Sequence, residues 1–314
     1  MWKVYARPVL VMSRCLGFTY CRYDGAIIED SFLERLKAHV QAITICPEVD
    51  IGMGVPRKPL HIMWEDEGLQ LYQAESGHYF TGAMERYAEE TLSSLHGVDG
   101  FVLKSKSPSC ALRDAKIMSD KEGRNLIGYG GGFFGSRVLA RYAHLAVADE
   151  ELLRDRDLRE HFLTKLFLLA RFRWVKDSGS VDELLRFHEE NRLLFAIHGR
   201  QLNEKLNEIM NRREGETVPN VLKAYAVRLG ELLKETPQKE KLIQVFERTL
   251  EVFSPLLSSQ EKSYFRKLLE GYSEGSQGLH LLRAKMREWV ERLGIDTFKH
   301  QTFFQPYPEE LSFA

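Results

Sequence analysis

The stretch "VDGFVLKSKSPSC", residues 98–110, decides how the first half of this chain is read. Gly100, Phe101, Val102 and Leu103 form a short apolar run with strand character, and the Ser-Pro-Ser before the cysteine is a loop. Cys110 therefore sits where a strand hands over to a loop, not inside the apolar run where an inert, packed thiol belongs. In an α/β protein that edge is where ligands bind.

The same handover recurs toward the N-terminus. "VYARPVLVMS" (4–13) and "AITIC" (42–46) read as strands. Between them, "IIEDSFLERLKAHV" (27–40) carries Phe32, Leu33, Leu36 and Val40 on one helical side, and "FTGAMERYAEETLSSL" (80–95) is a second amphipathic helix. This alternation predicts a Rossmann-like α/β domain, a parallel sheet with helices on both faces. The glycine-rich "GRNLIGYGGGFFG" (123–135) lacks the Lys-Ser/Thr of a phosphate-binding loop and is read as a flexible loop near the site.

"DRDLREHFLTKLFLLARFRWV" (155–175) reads as a long amphipathic helix, and the polar "KDSGSVD" (176–182) as a linker. Residues 181–294 then repeat helical spacing between Pro, Gly and Ser breaks, beginning with one long helical segment over 181–211. The expected domains are 1–175, α/β, and 182–314, an all-α bundle with the tail "FFQPYPEELSFA" packed extended against it. His188 and His198, ten positions apart in that long segment, read as packing or capping residues.

With 44 basic and 45 acidic residues the net charge is -1, so the bulk basic character usual for a nucleic-acid binder is absent, though a local basic face is not excluded. No apolar run approaches the roughly 20 residues that span a bilayer. The N-terminal "MWKVYARPVLVMSRCLG" has no small-residue cleavage site. A cytoplasmic protein without membrane association is expected, in which a structural disulfide is out of place.

All four cysteines lie in the first half: Cys15, Cys21, Cys46 and Cys110. Cys15, Cys46 and Cys110 each follow a predicted strand, so a parallel sheet brings them to one edge. A structural zinc site usually draws four ligands in closely spaced pairs. Three widely separated thiols suit a cubane iron–sulfur cluster with one iron left open as a Lewis acid for a substrate atom such as sulfur. Cys21, at the entry to a turn, is either a fourth ligand or a packed thiol, and the latter is preferred.

The blocks "SRCLGFTYCRYDG" (13–25), "CPEVDIGMGVPR" (46–57) and "KSKSPSC" (104–110) resemble the signature blocks of the thiouracil desulfidase family, and "LLRDRDLREHF" (152–162) extends the likeness. "LLRFHEENRLLFAIH" (184–198) and "FFQPYPEEL" (303–311) resemble the helical domain fused to such cores in bacterial tRNA 4-thiouridine desulfidases. The resemblance implies a [4Fe-4S] cluster on Cys15, Cys46 and Cys110, whose free iron takes up the sulfur of a thiolated pyrimidine. It implies conversion of 4-thiouridine in tRNA to uridine with release of hydrogen sulfide and no net electron transfer. Thiolated tRNA is then the partner, and nothing points to an obligate protein partner. Two positions depart from the family pattern: Leu16 alone stands before Gly17 where two apolar residues are common, and Ala111 follows Cys110 where glycine is usual.

Beside the cysteines, Glu48 reads as the acid/base that activates water or protonates the pyrimidine, against a surface carboxylate or backbone cap. Ser109 and Ser107 either hydrogen-bond the site or form the turn before Cys110. Lys104 either offsets cluster charge or binds phosphate, against a solvated lysine. Arg22 and Asp24 either bind substrate or form a local salt bridge, and Arg57 is a candidate phosphate or base contact. Two other readings stay open, a desulfidase of free thiouracil or thionucleosides and a non-catalytic RNA-binding or iron–sulfur sensing protein.

Overall fold

The computed structural model describes residues 5–66 and 68–312. The chain forms two compact units, one over Arg7–Phe162 and the other over residues 163–312 with Tyr5 and Ala6. In the first unit the elements run β1 (Val9–Ser13), α1 (Ser31–His39), β2 (Gln41–Ile45), α2 (Pro47–Asp50), β3 (His61–Glu65), β4 (Gly68–Gln73), β5 (His78–Tyr79) and α3 (Thr81–Ser94). They continue with β6 (Gly100–Leu103), β7 (Ala115–Met118), β8 (Leu126–Gly130), α4 (Phe133–Tyr142), β9 (Ala146–Asp149) and the start of α5 (Arg156–Ser178).

The expected parallel sheet is present, in the order β2-β1-β6-β9. Its residues alternate between faces. Val11, Phe101 and Leu103 pack on Ala88 and Leu92 of α3 and on Phe134 and Val138 of α4. Leu10, Met12 and Val102 point the other way and are also fully buried, so both faces are covered. From β1 the chain moves to one side for β2 and returns to the other side for β6, so the winding direction reverses at β1. A crevice opens at such a reversal, outside the carboxyl ends of the strands.

A second sheet was not expected from the sequence. Its five strands, in the order β5-β4-β3-β7-β8, include the antiparallel pairs β3–β4 and β7–β8 and the parallel pair β3–β7. It is built from the segments that follow Cys46 and Cys110. The stretch read as a flexible glycine loop is in fact β8 followed by the start of α4. Its glycines let backbone meet backbone: a Cβ on Gly132 would lie 2.6 Å from the Ser109 carbonyl oxygen and 2.8 Å from that of Ser107. The N–H groups of Gly132, Phe133 and Phe134 donate to the carbonyls of Ala111, Pro108 and Ser109. The first turn of α4 thus holds the Cys110 loop in place.

The second unit is all helical, as expected. It comprises the rest of α5, then α6 (Val181–Glu190), α7 (Arg192–Ala196), α8 (Arg200–Arg212), α9 (Val218–Leu232), α10 (Lys239–Phe253), α11 (Ser259–Ser273), α12 (Leu279–Leu293) and α13 (Asp296–Lys299). Phe187, Tyr225, Phe246, Phe265 and Trp289 are fully buried in its core. The single helix expected over 181–211 is three. It breaks at Asn191, whose side-chain N–H bonds the Phe187 carbonyl, and at Gly199, whose φ of 108° no helix accommodates. His188 is a core residue, bonded to the Tyr225 hydroxyl and to Asn207 Oδ1, each at 2.9 Å. The tail turns in short 3₁₀ segments, not an extended strand, and buries Phe303, Phe304, Tyr307 and Leu311. The division between units falls inside α5, whereas the polar stretch 176–182 covers the end of α5 and the start of α6. No helix of the described residues is long and apolar enough to cross a membrane.

Candidate active site

At the carboxyl edge of the parallel sheet lies a cavity of about 560 Å³ lined by Cys15, Cys21, Cys46 and Cys110, all unpaired and buried. Cys15 follows β1, Cys46 follows β2 and is the N-cap residue of α2, and Cys110 closes the turn after β6. His61 of β3 and Lys116 and Met118 of β7 line the same space, so the second sheet supplies its other wall.

Each cysteine is set by local bonds. The Cys46 N–H donates to Asp50 Oδ2 at 3.1 Å, and Asp50 also pairs with Arg14 at 3.0 Å and accepts from the Tyr87 hydroxyl. The N–H groups of Cys110 and Ser109 donate to Ser107 Oγ at 3.1 and 3.2 Å, so Ser107 builds the turn that presents Cys110. Lys106, at φ 58°, is the only described non-glycine residue with positive φ. Ala111 therefore adopts ordinary backbone, and its replacement of the family's glycine introduces no strain. Burial pushes the Cys46 thiol up to about 11 and the Cys110 thiol up to about 12. Cys21 is also raised, first by contact with the Cys15 thiol and then by burial. Burial raises any thiol in this way, and a bound metal centre would reverse it by favouring the thiolate. Among the described residues no three His, Cys, Asp or Glu side chains have the spacing of a single-ion site. What the thiols share is the larger cavity, and the donor set fits an iron–sulfur cluster.

Glu48 lines this cavity from α2 and is buried. Its Oε2 accepts from Arg57 Nε at 2.8 Å and Nη2 at 2.7 Å, and its Oε1 accepts from the Ser109 hydroxyl at 2.9 Å. Arg57 Nη1 donates to the carbonyls of Cys21 and Gly54 at 3.0 and 3.1 Å. Arg57, expected to touch phosphate or base, lines the cavity and also ties Glu48 to the loop carrying Cys21. Ser109 is fully buried and stands behind Glu48 as its positioning partner. Lys104, expected to face a cluster or phosphate, lines the cavity while ion-paired with Glu150, and it bonds the Ser105 hydroxyl at 3.0 Å. Arg22 lines the cavity while pairing with Asp24 at 3.2 Å, and Asp24 also accepts the Ala26 N–H, a local turn bond.

Sequence reasoning missed Arg14, Asp50 and Glu150. Asp50 had one readable signal, an acid one helical turn after Cys46. Glu150 had none, because only the pairing of β6 with β9, Leu103 opposite Asp149, brings it beside Lys104.

A doubly wound α/β unit with clustered thiols at the strand ends defines a cysteine-rich ligand-binding core. The family profile described as 2-thiouracil desulfurase matches residues 10–150, and one described as a protein of unknown function, DUF1722, matches residues 192–308. The uncharacterized protein YbbK of Bacillus subtilis (strain 168) is 30% identical over 109 residues, 32% of this chain and 72% of that one. A solved structure described as the [4Fe-4S]-dependent thiouracil desulfidase TudS is 29% identical, with 47% of this chain and 94% of that chain covered and a TM-score of 0.38. The chain belongs to the 2-thiouracil desulfurase family.

Proposed function

We propose that this protein is a desulfidase that converts 4-thiouridine in tRNA to uridine and releases hydrogen sulfide, using a [4Fe-4S] cluster held by Cys15, Cys46 and Cys110. The observation that carries this reading is the shared cavity: three strand-end cysteines face the same space as a carboxylate fixed on both oxygens. Family membership supports a thiolated pyrimidine as substrate. The likeness of residues 184–198 and 303–311 to the helical domain of tRNA desulfidases supports tRNA as its carrier.

When bound, the cluster supplies an iron without a protein ligand, a Lewis acid for the thiocarbonyl sulfur. The chain's own residues do the rest. Glu48 holds a water against the carbon that bears sulfur and takes one of its protons. Arg57 and Ser109 keep the carboxylate from rotating away, so its orientation is set before substrate arrives. The water oxygen becomes the new carbonyl oxygen, and sulfur leaves with the remaining proton as hydrosulfide. Water replaces sulfide with no change in electron count, so no external reductant is required.

The test is sulfide release under anaerobic conditions from thiolated tRNA and from free 4-thiouracil, with cluster-loaded protein. Release from tRNA far above the free base is expected. Release only from the free base overturns the tRNA assignment, and tight tRNA binding without sulfide from either substrate overturns the desulfidase reading.

A further inference from the structure

Cys21, set aside on sequence grounds as a packed thiol, stands among the three expected ligands. It is 2% exposed and lines the same cavity. Cys15, Cys46 and Cys110 line that cavity with it. Its backbone is tied to the site twice: its carbonyl accepts from Arg57 Nη1 at 3.0 Å and meets Cys46 Sγ at 3.8 Å. The cavity wall around it also carries the polar side chains of Arg22, Glu48, Arg57 and Lys104.

We propose that Cys21 is a fourth thiol ligand of this chain's cluster, closing the otherwise open iron when no substrate is bound and giving way to the substrate sulfur. The proposal rests on the cluster reading above. On coordination the Cys21 Sγ–H proton leaves to solvent and the thiolate binds iron; on displacement the thiolate is released and takes a proton back. No electron is gained or lost. Three features favour an exchangeable ligand over a permanent one. Cys21 follows no strand, it lies in the turn after Gly17, whose φ is 76°, and its loop is held by the Arg57 clamp instead of by a sheet. A closed iron protects the cluster, because a three-thiolate cubane loses its open iron when one electron is withdrawn.

The test compares wild type with Cys21→Ala and Cys21→Ser, purified anaerobically. Iron and sulfide content are measured first, then paramagnetic resonance during titration with ferricyanide as the one-electron oxidant. Withdrawal of one electron from [4Fe-4S]²⁺ without a fourth thiolate gives [3Fe-4S]⁺ and Fe²⁺. Both variants are expected to carry a full cluster and to form the three-iron signal about tenfold faster than wild type, the scale on which lost supporting ligands weaken metal sites. Serine preserves volume, so a purely packing role predicts that Cys21→Ser behaves as wild type. Equal rates in all three proteins overturn the proposal. Wild type without iron or sulfide overturns the cluster reading itself.

Discussion

Replacing Lys104 by methionine separates a substrate contact from a structural ion pair. The Glu150 side chain is 3% exposed and that of Lys104 16%. Besides the lysine, the carboxylate accepts from the Ser105 hydroxyl at 2.6 Å and the Ser105 N–H at 2.9 Å. Burial by itself pushes the Glu150 carboxyl up, but the bonds from Lys104 and Ser105 outweigh it and hold it below its ordinary 4.5. Removing the cation strands a buried carboxylate, at a cost of about 3 kcal/mol, the low end for a broken buried pair because both Ser105 donors remain. Removing both charges, Lys104→Met with Glu150→Gln, costs about 1 kcal/mol, since no unpaired charge is left. Because Glu150→Gln alone also removes the pair, the two sites should couple by at least about 2 kcal/mol. Urea unfolding of the four anaerobic proteins, followed by circular dichroism, measures this. The stabilisation from Glu150 is fully present above its ordinary pKa and lost as pH falls through the lower folded value, so Glu150→Gln should flatten stability in that acid window. A loss under about 1 kcal/mol for Lys104→Met, or strict additivity in the double variant, refutes the structural assignment. With no buried charge left stranded, a rise in KM of the double variant above that of Glu150→Gln alone reads out what Lys104 contributes to substrate directly.

Glu48→Gln should retain iron and sulfide yet lower kcat by about 10² to 10⁴, the contribution of a positioned base; normal turnover by the cluster-loaded variant removes Glu48 from the chemistry. Gly132→Ala should destabilise the first unit by about 1–3 kcal/mol, because its new Cβ meets backbone of the Cys110 loop that cannot rotate aside; unfolding curves superposing on wild type contradict the close approach. Burial, against a bond to the Asn207 Oδ1, holds His188 below its ordinary 6.5. Neutral His188 thus stabilises the helical unit fully above pH 6.5 and progressively less as pH falls through its folded value. A His188→Gln variant whose stability keeps the same slope below pH 6.5 shows that another group titrates there.

The cysteine edge was legible because its signals are local. A four- or five-residue apolar run closed by polar or turn-forming residues marks a strand end wherever it occurs, and alternating helices imply a parallel sheet that gathers such ends. The second sheet was not legible. β8 is mostly exposed and shares its segment with the glycines that open α4, and β5 has two residues, so neither carries a clean two-residue period. The break of the long helical segment at Asn191 was hidden for a different reason, since helical apolar spacing continues through it.

Residue type and spacing placed Cys15, Cys46 and Cys110 at one edge and Glu48 beside them. Partner choice was a tertiary matter. Glu48 meets Ser109 across 61 positions, Lys104 meets Glu150 across 46, and Arg57 reaches the Cys21 carbonyl across 36. Strand order and burial decide which charges face one another, and neither is written in the periodicity of any single segment. For the same reason Cys21, which follows no strand, read as a bystander until the folded loop brought it to the cavity lined by Cys15 and Cys46.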